Sequence, residues 1–329
     1  MAPRDDATAR WIRRGSCRVP PAEAGQRLDA FLARAFRYRS RTQWAALVKA
    51  GRIRCNGAVV RPGRSLRPGD WIEYLPDPRP EPRVDRRYRV LFEDESILAV
   101  RKPANLPVHP SGRYFRNTLL LMLLEERGED LDTTGLRIVH RLDRETSGVI
   151  LFGKGREAAS ALAIQFETRQ VAKRYLAIVH GRPKEDRFLV DAPVGRDPRS
   201  PVRKAMTVLE DGRPARTSFR VVRRSGEHAL LIARPHTGRL HQIRVHLRHA
   251  GLPIVGDKVY GRDPRLFLRF VEGSLSPEDR LRLVWRRQAL HAWRLTLRHP
   301  RDGSRLSLHA PAGRSWLRLA ARLELGRLP

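Results

Sequence analysis

Four prolines alternate with four charged residues in PDPRPEPR at positions 76–83. Proline has no amide hydrogen to give and its ring fixes φ, so this stretch can neither continue a helix nor sit inside a sheet. It reads as an extended spacer, and it makes the 329-residue chain fold as two bodies rather than one. The expected division is a loose polar tail over 1–20, a small domain over 21–75, a Pro-rich linker over 76–87 and a large domain over 88–325. The large part is long enough to bury a sizeable core, and an apolar content of 41% allows it.

In the small domain, Leu28, Phe31, Leu32 and Phe36 fall at helical spacing. A second helix follows in SRTQWAALVKAG, where Ser40 and Gln43 have capping-box spacing, Trp44, Leu47 and Val48 form the buried face and Gly51 suits the stop. Asn56-Gly57 then predicts a two-residue hairpin turn, and RPGD leads into the short strand WIEYL. RLDAFLARA, SRTQWAALVKAGRIRCNG and RPGDWIEY together resemble the alpha-L RNA-binding module of a small-subunit ribosomal protein. Arg39, Arg41, Lys49, Arg52 and Arg54 gather around the second helix and the hairpin. The resemblance makes them RNA contacts; composition alone leaves a solvated basic face equally open.

The large domain reads as hairpins with interspersed helices. YRVLFEDESILAVRKP gives two strands, TLLLMLLEERG a short amphipathic helix and REAASALAIQFETR another helix. VAKRYLAIVHG is a strand with Lys173, Tyr175, Ala177 and Val179 on one face. Hairpins turn at Ser225-Gly226 and Asp302-Gly303, and GRLHQIRVHLRHAG is a helix with Leu240, Ile243 and Leu247 inward. This is a mixed, largely antiparallel α+β domain preceded by a small α/β one.

Lys+Arg number 66 against Asp+Glu 35, a net charge of +31. Self-repulsion on that scale points to a polyanionic partner, nucleic acid first and an anionic membrane surface second. Two cysteines, Cys17 and Cys55, make neither a disulfide framework nor a four-ligand zinc site. The N-terminal residues lack the apolar core of a signal peptide, and LLLMLL at 119–124 is far short of a membrane span. The expected setting is the cytoplasm, away from membranes, and with no seam for a dimer a monomer is expected.

Neither a dinucleotide-binding glycine motif nor a phosphate loop is present. His241, His246 and His249 imitate a metal site, but steps of five and three do not share a helix face, so no metal is expected. The puzzle is HRLDRETSGVILFGK from position 140, which sets Asp143 in a basic run. Asp143 reads as an ion-pair partner of the arginines or as a nucleophile. With Glu145 it also has the makings of a two-carboxylate glycosidase, and the residues alone do not decide.

That stretch resembles the signature of the RluA-type pseudouridine synthases. Four further segments match in the family's order: DESILAVRKPANLPVHPSG, VAKRYLAIVHG, HTGRLHQIRVHLRHAGLPIVGDKVYG and LHAWRLTLRHP. The resemblance implies Asp143 as catalytic aspartate, Tyr175 as active-site tyrosine, Arg244 as the arginine paired with the aspartate, and Arg141 as the arginine entering the RNA helix when the base leaves. Arg239 and His241 join the RNA contacts. Turning uracil from an N- to a C-glycoside involves no net redox change or energy input, so no cofactor is expected. It needs a nucleophile ionised at neutral pH, which Asp supplies. It also needs a cation to oppose burial, and arginine does not lose its charge. The expected partner is RNA, ribosomal first and transfer RNA second. Two other classes remain beside the isomerase: an RNA or nucleoside glycosylase, and a non-catalytic ribosome-assembly factor.

Overall fold

The computed structural model describes residues 16–36, 39–75, 81–129, 134–261, 263 and 265–328. The chain divides into two compact units, 1–80 and 81–329.

In the first unit, β1 (Ser16–Arg18) precedes α1 (Leu28–Ala35) and α2 (Arg41–Lys49). Then come β2 (Ile53–Cys55), β3 (Ala58–Val59) and β4 (Trp71–Tyr74), in the sheet order β1-β4-β2-β3. The tail expected over 1–20 is therefore shorter than its polarity suggested: residues 1–15 lie outside the described ones, and Ser16–Arg18 pair with β4. Both halves of the Ser40/Gln43 capping box form. The Asn56-Gly57 turn has φ of +52° and +79°. Its Asn56 side chain donates to Asp70 and accepts from the Trp71 amide, which pins the hairpin to β4. Leu28, Phe31, Leu32, Trp44, Val48, Ile53 and Ile72 make the core.

The linker expectation also changes. Residues 76–80 lie outside the described ones, but Glu81 already belongs to the second unit. Its carboxylate accepts from the amides of Phe115, Arg116 and Asn117, and Asn117 Nδ2 donates to the Pro82 carbonyl.

The second unit opens with β5 (Arg89–Glu93) and β6 (Ile97–Lys102), then α3 (Leu119–Arg127). Leu119 to Leu124 are all buried, so α3 is an embedded helix and not the amphipathic one expected. There follow β7 (Leu136–Ile138), β8 (Ser147–Lys154), α4 (Arg156–Glu167), β9 (Ala172–His180), β10 (Arg187–Asp191), β11 (Val194–Arg196) and β12 (Met206–Val208). The hairpin β13 (Arg216–Ser225) and β14 (His228–Pro235) leads to α5 (Gln242–His249). Last come α6 (Leu266–Glu272), α7 (Pro277–Leu283), β15 (Leu290–Arg298), β16 (Arg305–His309) and α8 (Arg314–Arg322).

One large sheet runs β10-β13-β14-β9-β15-β8-β6-β5, with β16 on β15 and β7 on β8. Its described pairings are antiparallel except β8 with β15, which are parallel at Ser147↔His291 and Gly148↔Ala292. Gly148 has φ of +115°, and a Cβ there would fall inside the Ala292 backbone, so only glycine lets the two strands meet. The core beside this junction joins Leu176, Ile178, Leu230 and Leu231 of the sheet to Leu247 of α5 and Leu319 of α8. β8 and β9 thus deliver the segment before β8 and the start of β9 to one cleft.

Candidate active site

A cleft of about 460 Å³ opens where the segment between β7 and β8 meets β9, α4 and the segment entering α5. Asp143, Tyr175, Arg244, Arg141, Arg239 and His241 all line it. The other five residues expected to contact RNA, Arg39, Arg41, Lys49, Arg52 and Arg54, belong to the first unit. Arg41 there lies 3.3 Å from Asp29, a charge partner within its own domain.

Asp143 sits at the end of a loop held from below. Lys102, fully buried at the end of β6, donates to the carbonyls of Pro103, Leu106 and Arg144 at 2.8–3.1 Å. Burial lowers its pKa to about 7. Arg244 Nη1 donates to Asp143 Oδ2 at 2.7 Å. Arg244 Nε and Nη2 donate to the two oxygens of Asp257 at 2.6 and 2.9 Å. Asp257 also accepts from the amides of Val259 and Tyr260, and the Tyr260 ring lies 4.7 Å from the guanidinium. The arginine is therefore fixed on three sides and presents one edge to Asp143.

Burial alone would raise the pKa of Asp143, yet His241 and Arg244 together hold it far below the ordinary carboxylate range, at about 2. Burial and then the Arg244 charge push His241 down to about 4. At neutral pH His241 is uncharged, and Arg244 is the cation that keeps Asp143 ionised. Tyr260 Oη accepts from the Met206 amide and shares a hydrogen bond of 2.7 Å with His241 Nδ1. His241 Nε2 lies 3.7 Å from Asp143 Oδ1. Burial, and after it the Asp143 charge, raises the pKa of Tyr175, so its hydroxyl is a neutral phenol beside the carboxylate.

The helix expected to carry His241 starts one residue later. His241 is left-handed, φ +57°, at the N-cap of α5. The Gln242 side chain shapes that entry by accepting from Thr237 and the Arg239 amide and donating to Arg216 and Thr217. His246 is buried between Thr217 and the Ala192 carbonyl, well apart from the role of a metal ligand. Among the described residues no three His, Cys, Asp or Glu side chains are arranged to hold a metal. Glu145, the other carboxylate of the glycosidase pair, does not line the cleft. Lys258 Nζ donates to it at 2.8 and 3.1 Å, and Arg144 adds a third bond.

Sequence reasoning missed Asp257, Tyr260 and Gln242. The one available signal for Asp257 was a carboxylate directly after an apolar run and a glycine in PIVGDKVYG, in a chain otherwise short of acids.

Comparison with known proteins agrees with this geometry. Residues 96–249 match the family model described as RNA pseudouridylate synthase, and residues 26–72 match the S4 domain. An uncharacterized RNA pseudouridine synthase of Chloroflexus aurantiacus is 42% identical over 89% of this chain and 88% of that protein. Ribosomal large subunit pseudouridine synthase D of Xanthomonas campestris is 36% identical over 93% of this chain and 91% of that protein. The solved structure of human RNA Pseudouridylate Synthase Domain Containing 4 superposes with a TM-score of 0.56 at 27% identity, covering 71% of this chain and 92% of that one. Among the described residues no helix is long and apolar enough to cross a membrane, and the partner implied by both matched models is RNA. The chain is a member of the RNA pseudouridine synthase family, of the RluA type.

Proposed function

We propose that this enzyme isomerises uridine in ribosomal RNA, in the cytoplasm, with Asp143 as the nucleophile. The observation that carries the assignment is a carboxylate in a cleft, kept charged by an arginine that a second carboxylate fixes. Relatives named as ribosomal large subunit synthases favour ribosomal over transfer RNA.

A uridine inside folded RNA is out of reach, and flipping it out costs a few kcal/mol. Arg141, exposed at the mouth, fills the gap it leaves, while Arg239 meets phosphate. Tyr175 stacks on the extruded base. Asp143 adds to an electrophilic carbon of the nucleoside, and the C1′–N1 bond breaks with its electron pair going to N1. The base turns, C5 bonds to C1′, the bond to Asp143 breaks and restores its carboxylate, the C5 proton leaves and N1 gains one, so atoms and charge balance with no cofactor. Tyr175 suits the C5 proton step because of its neighbour. While Asp143 carries its charge, the phenol is held neutral. Once Asp143 is covalently engaged that charge is gone, Arg244 is less neutralised, and the tyrosine pKa falls.

Release of tritium from RNA labelled at uracil C5 measures the reaction. Free uracil with an abasic site, in place of tritium release, would make the chain a glycosylase. Binding with neither product would make it an assembly factor.

A further inference from the structure

A second groove, of about 940 Å³, opens in the catalytic unit. Side chains alternate across a strand. Thr146 and Leu290 line the cleft, while the next residues, Ser147 and His291, line the groove. The two cavities therefore lie on opposite faces of the sheet, and they share no lining residue.

Seven arginines line the groove; Arg87 is taken up by Asp85, and the other six come from four segments: Arg89 on β5, Arg101 on β6, Arg286 and Arg287 ahead of β15, and Arg314 and Arg318 on α8. Among the described residues its one carboxylate is Asp85, whose two oxygens are both held by Arg87 at 2.9 Å. Arg287 reaches Asp85 only at 3.9 Å. Arg89 and Arg101 stand directly opposite each other on antiparallel strands, where like charges destabilise a sheet. Arg314 and Arg318 are one turn apart on a helix, with the same sign of effect. Burial and then the Arg89 charge hold the pKa of Arg101 below the usual arginine value. Folding alone gains nothing from these pairings; an anion lying along the groove relieves them.

We propose that the groove is a second RNA-docking surface, which holds the phosphodiester backbone of substrate RNA outside the segment in the cleft. The cations are spread over four segments lining a groove of about 940 Å³, which suits successive phosphates of a chain better than a single small phosphate. Trp285, half-buried in the wall, offers a ring to an unstacked base. The proposal rests on the reading of this chain as an RNA-modifying enzyme only in taking RNA as the partner.

The test compares the full chain with its Arg89→Gln/Arg101→Gln and Arg314→Gln/Arg318→Gln variants. Filter binding over a salt series uses two probes: an unmodified large-subunit ribosomal RNA transcript, and a stem-loop too short to fill both cavities. Affinity for the transcript should fall about tenfold, and the slope of log K against log salt should shallow by about one for each arginine removed. Stem-loop affinity should change less than about twofold. With the like charges separated, the Arg89→Gln/Arg101→Gln chain should melt no lower than the parent. Transcript affinity and slope equal to the parent's would overturn the proposal. So would an equal loss on the stem-loop, or a loss that comes with a lower melting midpoint, as a structural role requires. Tritium release by the parent on the same transcript is scored in parallel: its absence sinks the isomerase reading and leaves the groove result standing.

Discussion

Arg244 divides its guanidinium between two carboxylates, giving Nη1 to Asp143 at 2.7 Å and both other nitrogens to Asp257. The bidentate half sets the plane and the remaining edge meets Asp143. Because the Asp143 pKa is depressed to about 2, its ion pair contributes stability above the ordinary carboxylate pKa and loses it as pH falls through about 2. In the parent enzyme this group does not limit the rate near neutrality. In Arg244→Gln only His241 and Gln288 still oppose burial, and the pKa climbs. The rate at pH 7 should fall by at least about 100-fold and should then rise with pH between about 6 and 8. A pH–rate profile of single-turnover tritium release checks this, and a flat profile would remove Arg244 from the role.

Asp143→Asn keeps the shape of the side chain and removes the nucleophile. Activity should drop by about 10⁴-fold or more, the scale of losing a covalent catalyst. RNA affinity should stay within a few-fold of the parent, since the arginines at the cleft mouth are untouched. Full activity in this variant would reject the nucleophile assignment.

Tyr175→Phe separates stacking from proton transfer. The ring remains, so RNA binding should persist. The hydroxyl is lost, so tritium release should slow by about 10²- to 10⁴-fold, the usual worth of a general base. If Asp143 still engages the nucleoside, a covalent RNA adduct should accumulate and be visible as a shifted band on a denaturing gel. Tritium release at the parent rate would mean the tyrosine acts only as a platform.

What the sequence made legible was local. The Ser40/Gln43 box and the Asn56-Gly57 turn are dictated by residues three apart or adjacent, and both form. Tyr175 and Arg244 fell on the expected strand and helix because periodicity of 2 and 3.6 marks those segments. The junction of β8 with β15 joins residues 144 apart, His291 to Ser147, and no pattern within either strand announces it. Helices α6, α7 and α8, of seven, seven and nine residues, were likewise unforeseen, since helices that short are marginal on their own. Their existence depends on what they pack against. Asp257 was invisible for the same reason: its meaning is the buried guanidinium it meets, and that meeting is tertiary.

That meeting supplies the last prediction. Asp257 is wholly buried; it accepts two bonds from Arg244 and two from the amides of Val259 and Tyr260. Asparagine in its place keeps one acceptor oxygen but turns an amide donor towards the donors of Arg244. It also leaves that cation with a single carboxylate. Breaking one side of a buried ion pair costs about 3–5 kcal/mol, which for a domain of this size lowers the melting midpoint by roughly 10 °C. Activity should fall further than the stability change accounts for, because Arg244 loses the fixed plane that aims it at Asp143. Calorimetry of Asp257→Asn, with tritium release measured well below its melting midpoint, separates the two effects. A variant that melts lower yet turns over at the parent rate would show that Asp257 supports the fold and not the alignment of Arg244.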